Sequence, residues 1–266
     1  MRALEVAIDV ACTGSGGPEL ARAVAAAWDW CADDEAQQPH ESHRRLTVLL
    51  EDDAHLLATT AAGTDLFGTD LTMVMDRLSP VITRLAVTER AGDLTMFHAC
   101  ALADPVTGNT AVLFGPSGTG KTTLARTLGT DFVYLTDETA GVTREGLMVP
   151  YPKPLSILLA PRDRLKHQVS PGELGLQPIG AGPYRLTALV QLRRIPDHEG
   201  EATLEVLPTI DALPEMVTQT SYTRLMERPL HRLAALAESV GGVRRATYAE
   251  AAQLLPVVRD LVTGPS

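Results

Sequence analysis

Apolar residues recur along this chain with two periods, and the switches between them mark its elements. Residues 3–12 alternate enough to predict a strand, which Gly14-Ser15-Gly16-Gly17 ends. Residues 18–30 carry helical spacing, with Pro18 in the first turn. Two short strands are expected at 46–50 and 55–60, after an acidic and polar loop over 31–44. Between Asp70 and Ala91, Leu71, Val74, Met75, Leu78, Ile82 and Leu85 fall on one helical face, and Pro80 is a kink or break in it.

A soft boundary follows near residue 92, dividing the chain into 1–91 and 92–266. Past it the pattern predicts a strand over 94–102, a turn at 104–109 and a continuous apolar run at 111–114 that reads as a buried strand. A short helix from Lys121 to Leu128 stops at Gly129-Thr130. The strand Phe132-Val133-Tyr134-Leu135 leads to Asp137-Glu138, and a hairpin is expected around Arg144-Glu145-Gly146. Residues 161–184 hold Pro161, Pro171, Pro178 and Pro183 among several glycines and predict a long irregular loop. Strands at 184–192 and 202–207 and helices at 221–240 and 248–261 complete the chain. The fold class expected is α/β: a P-loop core with a mixed β-sheet, a small α+β N-terminal region and C-terminal helices.

Composition narrows the setting. With 266 residues, 45% of them hydrophobic and only 4% aromatic, the chain can bury a core made mostly of Leu, Val and Ala. A net charge of −10 argues against a nucleic-acid binder, which needs a positive surface. Cys12, Cys31 and Cys100 lack metal-ligand spacing and read as reduced structural thiols. No apolar run reaches membrane-spanning length, and Glu5 and Asp9 interrupt any signal-peptide core. The expected location is cytoplasmic, with no membrane partner.

The strongest chemical signal is Gly115-Pro116-Ser117-Gly118-Thr119-Gly120-Lys121-Thr122, a phosphate-binding loop set between a strand and a helix. Its glycines let successive amides turn inward to phosphate oxygens, and the helix N-terminus adds partial positive charge. Gly115, Ser117, Gly118, Thr119, Gly120, Lys121, Thr122 and Thr123 are the candidate nucleotide-binding residues. Lys121 supplies full charge at the β/γ-phosphates, and the Thr122 hydroxyl suits Mg²⁺. The ligands expected are ATP and Mg²⁺.

Asp137 and Glu138 follow Lys121 by one short helix and one strand. If that strand lies beside the loop strand in a parallel sheet, its C-terminal end opens on the same edge as the loop. One carboxylate there orients the metal, and the other takes a proton from an acceptor hydroxyl. His98, on the preceding strand, is either a core histidine or a neighbour of those carboxylates. Lys153, framed by Pro152 and Pro154, is either a phosphate or acceptor contact or a surface lysine. Residues 144–166 carry five basic side chains against two acids and suggest an anion-facing rim. Arg185, Arg193, Arg194 and Arg224 are alternatives for stabilising the transferring group. Trp28 and Trp30 are either a docking patch or part of a core.

His98-Ala99, the GPSGTGKTTL segment, Tyr134-Leu135-Thr136-Asp137-Glu138 and Pro150-Tyr151-Pro152-Lys153-Pro154-Leu155 together resemble the HPr kinase-like proteins. The core is also similar to the nucleotide site of phosphoenolpyruvate carboxykinases. The resemblance covers about residues 90–160. It implies that Asp137 is the base, that Glu138 and Thr122 are the metal partners, and that His98 and Lys121 belong to the catalytic set. Thr122-Thr123 replaces the Ser-Glu of true HPr kinases, and their Gly-rich Arg signature loop is not recognisable, so HPr as substrate is not implied. The closer resemblance is to kinase-like proteins of bacterial peptide-modification pathways. It implies a Mg-ATP-dependent kinase acting on a Ser or Thr hydroxyl of a peptide or protein, a precursor peptide among the candidates, and it admits a homo-oligomer. The alternatives are a nucleotide-binding regulatory or assembly protein with little transfer activity, and a small-molecule kinase.

Overall fold

The structure, a computed structural model, describes residues 1–32, 43–160 and 162–264. Most of the loop expected at 31–44, from 33 to 42, therefore lies outside the described residues. The chain forms two compact units, one of residues 1–89 with 153–174 and the other of 90–152 with 175–266. Residues 153–174, placed by sequence in the second region, thus belong with the first.

The first unit is built from β1 (Arg2–Ala3), β2 (Val6–Thr13), α1 (Gly17–Ala27), β3 (His43–Leu50), α2 (Ala54–Thr60), β4 (Leu66–Gly68) and α3 (Leu71–Glu89). Its sheet runs in the order β1-β2-β3-β4. β2, β3 and β4 are parallel and only β1 is antiparallel. The α+β expectation is corrected here: α1 and α2 are the crossovers that parallel neighbours require. Leu20, Val24 and Ala27 give α1 its buried face, and Trp28 closes the same core at 2% exposure, so it is no docking residue. Pro80 does not break α3, because Val74, Met75, Leu78, Ile82 and Ala86 bury one face on both sides of it.

The strand expected at 55–60 is instead α2. The Asp53 carboxylate accepts hydrogen bonds from the backbone amides of His55 at 2.7 Å and Leu56 at 3.3 Å, which caps a helix. No residue of α2 is buried, so the cap carries much of its stability. Asp53→Ala should destabilise the first unit by about 1 kcal/mol, read as a lower denaturant midpoint at unchanged slope.

The second unit begins with β5 (Thr95–Ala103), β6 (Asn109–Phe114), α4 (Lys121–Leu128), β7 (Val133–Thr136), β8 (Thr139–Val142) and β9 (Met148–Val149). The chain then returns to the first unit for an antiparallel pair, β10 (Leu155–Ile157) and β11 (His167–Val169), which gives part of the expected irregular loop a regular structure. It re-enters the second unit with β12 (Arg185–Arg194), β13 (Thr203–Leu207), α5 (Thr209–Thr218), α6 (Pro229–Ser239), β14 (Val243–Tyr248) and α7 (Leu254–Thr263).

Eight strands form one mixed sheet in the order β13-β14-β12-β6-β5-β8-β9, with β7 also paired to β5. β12 is parallel to β6 and to β14, and the other pairs are antiparallel. The helix expected over 221–240 starts only at Pro229, and the one expected over 248–261 only at Leu254. Tyr248 belongs instead to β14, a strand masked in the sequence by Arg244 and Arg245. Arg245 pairs with Glu205 of β13 at 2.9 Å. α5 also escaped the sequence reading, since Pro214 sits inside it.

Phe97, Ala99, Ala101 and Ala103 of β5 share one core with Ala212 and Met216 of α5 and Leu233, Leu236 and Ala237 of α6. His98 and Cys100 alternate to the opposite face. Among the described residues no helix is long and apolar enough to cross a membrane.

Candidate active site

Phe114, the last residue of β6, pairs with Ala99 of β5 and Gln191 of β12. The chain leaves the sheet at Gly115 and turns into α4 at Gly120. Gly118 and Gly120 have φ of +90° and +89°, a region that penalises any side chain. Apart from each glycine's own chain neighbours, no atom of the described residues lies within 4 Å of where a Cβ would stand at either position, so this wall of the loop is open. The first-turn amides of α4 have no intrahelical acceptors and lie where the helix dipole is positive.

The loop is held from behind. Thr119 Oγ1 donates to Pro116 O at 2.9 Å, and the Tyr248 hydroxyl donates to Thr119 O at 2.6 Å. Burial pushes the Tyr248 hydroxyl up to about 12, with the nearby Arg194 charge acting against it, so Tyr248 stays a neutral donor. Lys121 is buried and donates to Gly115 O at 2.7 Å and Pro116 O at 3.1 Å. Burial lowers its pKa, while carboxylates including Asp137 and Glu215 work the other way.

β7 is not beside β6, as the sequence reading supposed; β5 lies between them. Both are antiparallel to β5, so they run in the same direction and end at the same edge. That edge carries Gly115 after β6 and Asp137-Glu138 after β7. Asp137 is buried, and its Oδ1 accepts a hydrogen bond from the Tyr134 hydroxyl at 3.0 Å. Glu138 is half-buried, and its carbonyl accepts from the Ala99 amide at 3.1 Å.

His98 Nδ1 lies 3.1 Å from the same Glu138 carbonyl. A carbonyl only accepts, so this bond places the ring proton on Nδ1 and leaves the Nε2 lone pair to another partner. Partial burial and then the Lys121 charge lower the His98 pKa, against Glu138 and Asp137, which favours the neutral ring. His98, Lys121, Asp137 and Glu138 are thus within electrostatic reach of one another.

Lys153 belongs to the first unit and is 1% exposed, with Nζ donating to Pro154 O at 2.9 Å, so it is no surface lysine. Of the five basic residues of 144–166, Arg144 lies in the second unit and the other four in the first. Arg185 donates to Glu145 O, and Arg193 and Arg224 are exposed. Arg194 ends β12 at the loop edge, beside Tyr248.

Three contributors were missed from sequence: Tyr134, Tyr248 and Glu215. Tyr134 stands three positions before Asp137 and was legible only as a buried strand residue. Tyr248 and Glu215 reach the loop from elements the periodicity did not reveal.

The donor set fits Mg²⁺. Thr122, in the first turn of α4, carries a hydroxyl and the half-buried Glu138 a carboxylate, both oxygen donors, and among the described residues no group of three or more His, Cys, Asp or Glu forms a cage of its own. Mg²⁺ binds in this manner, through one or two protein oxygens, substrate phosphates and waters. No protein-family model matches this chain, and no curated protein matches it either.

Proposed function

We propose that the protein is a Mg-ATP-dependent kinase that phosphorylates a hydroxyl of a peptide or protein. The observation that carries this reading is the shared edge: an open glycine loop with Lys121 after β6, and Asp137-Glu138 after β7, one strand apart and pointing their chain ends the same way. The HPr kinase-like residue pattern supports the same reading.

In this mechanism the loop amides and Lys121 hold the β- and γ-phosphates. Lys121 exchanges its bonds to Gly115 O and Pro116 O for phosphate oxygens, which remain within reach of the same ammonium. Thr122 and Glu138 would hold the metal, which when bound neutralises phosphate charge. Asp137 accepts the proton of the acceptor hydroxyl, whose oxygen bonds to the γ-phosphorus as the bond to the β,γ-bridging oxygen breaks and ADP leaves. Tyr134 keeps the Asp137 carboxylate oriented through its hydroxyl. Positioning and charge compensation supply most of the rate.

The direct test is incubation with γ-labelled ATP, Mg²⁺ and a panel of Ser- and Thr-containing peptides. Label on a peptide hydroxyl is expected. Tight nucleotide binding with all label retained on ATP would favour the regulatory alternative, and label on a small molecule would favour the third. Lys121→Ala should weaken nucleotide affinity about 10- to 100-fold by calorimetry, because a charge-assisted contact to phosphate is lost. An unchanged affinity would remove the loop from the mechanism.

A further inference from the structure

A second basic feature lies away from the loop, within the same unit. The turn between β8 and β9 and one side of α6, from its start to Ser239, line an open cleft of about 540 Å³. Its charged lining is Arg144 and Glu145 from the turn, and Glu227, Arg228, His231 and Arg232 from α6 and the residue pair before it. Three guanidiniums thus face two carboxylates in a protein whose net charge is −10. The volume lies in the range of small-molecule sites.

The arrangement is asymmetric. Arg228 stands just before α6 and Arg232 in its first turn, where the Arg232 amide donates to the Arg228 carbonyl at 3.0 Å, and both line the cleft. Arg144 approaches from the facing turn and makes a long 3.6 Å pair with Glu227. Arg232 is anchored by bonds to the carbonyls of Gly92, at 2.9 Å, and Asp93, which fix the guanidinium without neutralising it. Burial lowers the Arg232 pKa, and the neighbouring Arg144 charge lowers it further, against Asp93 and Glu145. The exposed Arg228 and His231 side chains have no hydrogen-bond or ion-pair partner among the described residues. Arg228 also holds a left-handed backbone, with φ 47° and ψ 59°, a region unfavourable to a non-glycine residue.

The cleft is distinct from the nucleotide edge. Its Thr95 lies on the α5/α6 face of β5, the face shared with Phe97 and Ala99, whereas His98 and Cys100 turn to the other face toward Lys121.

We propose that this cleft binds a small anion bearing two or more phosphate or carboxylate groups, gripped between Arg144 on the turn and Arg228 and Arg232 at the start of α6. Planar guanidiniums meet both group types with paired hydrogen bonds. A ligand with two or more acidic groups can engage both walls at once.

The test uses the full chain and two probes, pyrophosphate and citrate, measured by calorimetry at low salt. Because pyrophosphate also suits the glycine loop, each titration is repeated in Lys121→Ala. Binding of at least one probe should persist there and weaken by about 10-fold or more in Arg144→Ala/Arg228→Ala. Both arginines are exposed, and unchanged thermal melting of the double variant shows that it folds. Arg228→Glu, which reverses the charge, should abolish binding. Pyrophosphate binding alone identifies phosphate as the preferred group, and citrate binding alone identifies carboxylate. Binding lost in Lys121→Ala but kept in the arginine double variant would overturn the proposal, as would no heat from either probe at about 1 mM. Neither result depends on transfer activity, so the cleft can fail while the kinase reading stands, and the reverse.

Discussion

Asp137→Asn should lower phosphoryl transfer by about 10²- to 10⁴-fold, the usual contribution of a positioned base. The amide is nearly isosteric and still accepts the Tyr134 hydroxyl through its oxygen, so the turn after β7 should keep its geometry. Nucleotide affinity should change little, because the proposed mechanism assigns the phosphate contacts to the loop amides and Lys121. Single-turnover kinetics beside calorimetry separates these quantities. A loss of both together would place Asp137 in nucleotide binding, and undiminished transfer would remove it from the chemistry. Tyr134→Phe offers a graded companion: it withdraws the orienting bond and leaves the carboxylate, so its loss should be smaller than that of Asp137→Asn.

Phe114→Ala should cost about 3–5 kcal/mol of stability, among the largest effects of any single change here. Phe114 is fully buried at the end of β6, and its ring stacks on that of Phe97 with centroids 5.7 Å apart. The surrounding strands are pinned by β5 on one side and β12 on the other, so the site has little freedom to collapse around a cavity. Denaturant unfolding of the variant should show a much lower midpoint. Because Gly115 follows directly, the loop should loosen as well, and nucleotide affinity should fall even at temperatures where the variant remains folded. Phe114→Leu, which preserves most of the volume, should recover a large part of both.

The same neighbourhood explains how the site is braced. Tyr248 reaches the loop from β14, two strands from β6, and bonds the carbonyl of Thr119. Glu215 reaches the electrostatic field of Lys121 from α5, where it also accepts a bond from the Gln219 side chain at 2.9 Å. Gln219 in turn accepts the His98 amide through its carbonyl at 2.7 Å. The edge is therefore assembled from β5, β6, β7, α5 and β14, drawn from more than 100 positions of sequence.

Local patterns determined a good deal of this protein. The apolar run 111–114, the glycine loop and the helical spacing after Lys121 made β6, the loop and α4 legible, because each is set by near-neighbour sterics and periodicity. The α/β class followed from strands alternating with helices. Asp53, in contrast, turned an apparent strand into α2 by capping it, a choice between two locally plausible forms. β14 stayed hidden because Arg244 and Arg245 interrupt its apolar pattern, and it is stable only where β12 and β13 flank it.

What the tertiary structure alone decided is adjacency. Sequence spacing allowed Asp137-Glu138 to follow a strand next to β6, but pairing placed β5 between them while preserving their common direction. It also drew residues 153–174, Lys153 among them, into the first unit. Strand order and cross-strand register depend on contacts between residues far apart in the chain, and periodicity carries no information about which distant strands will meet.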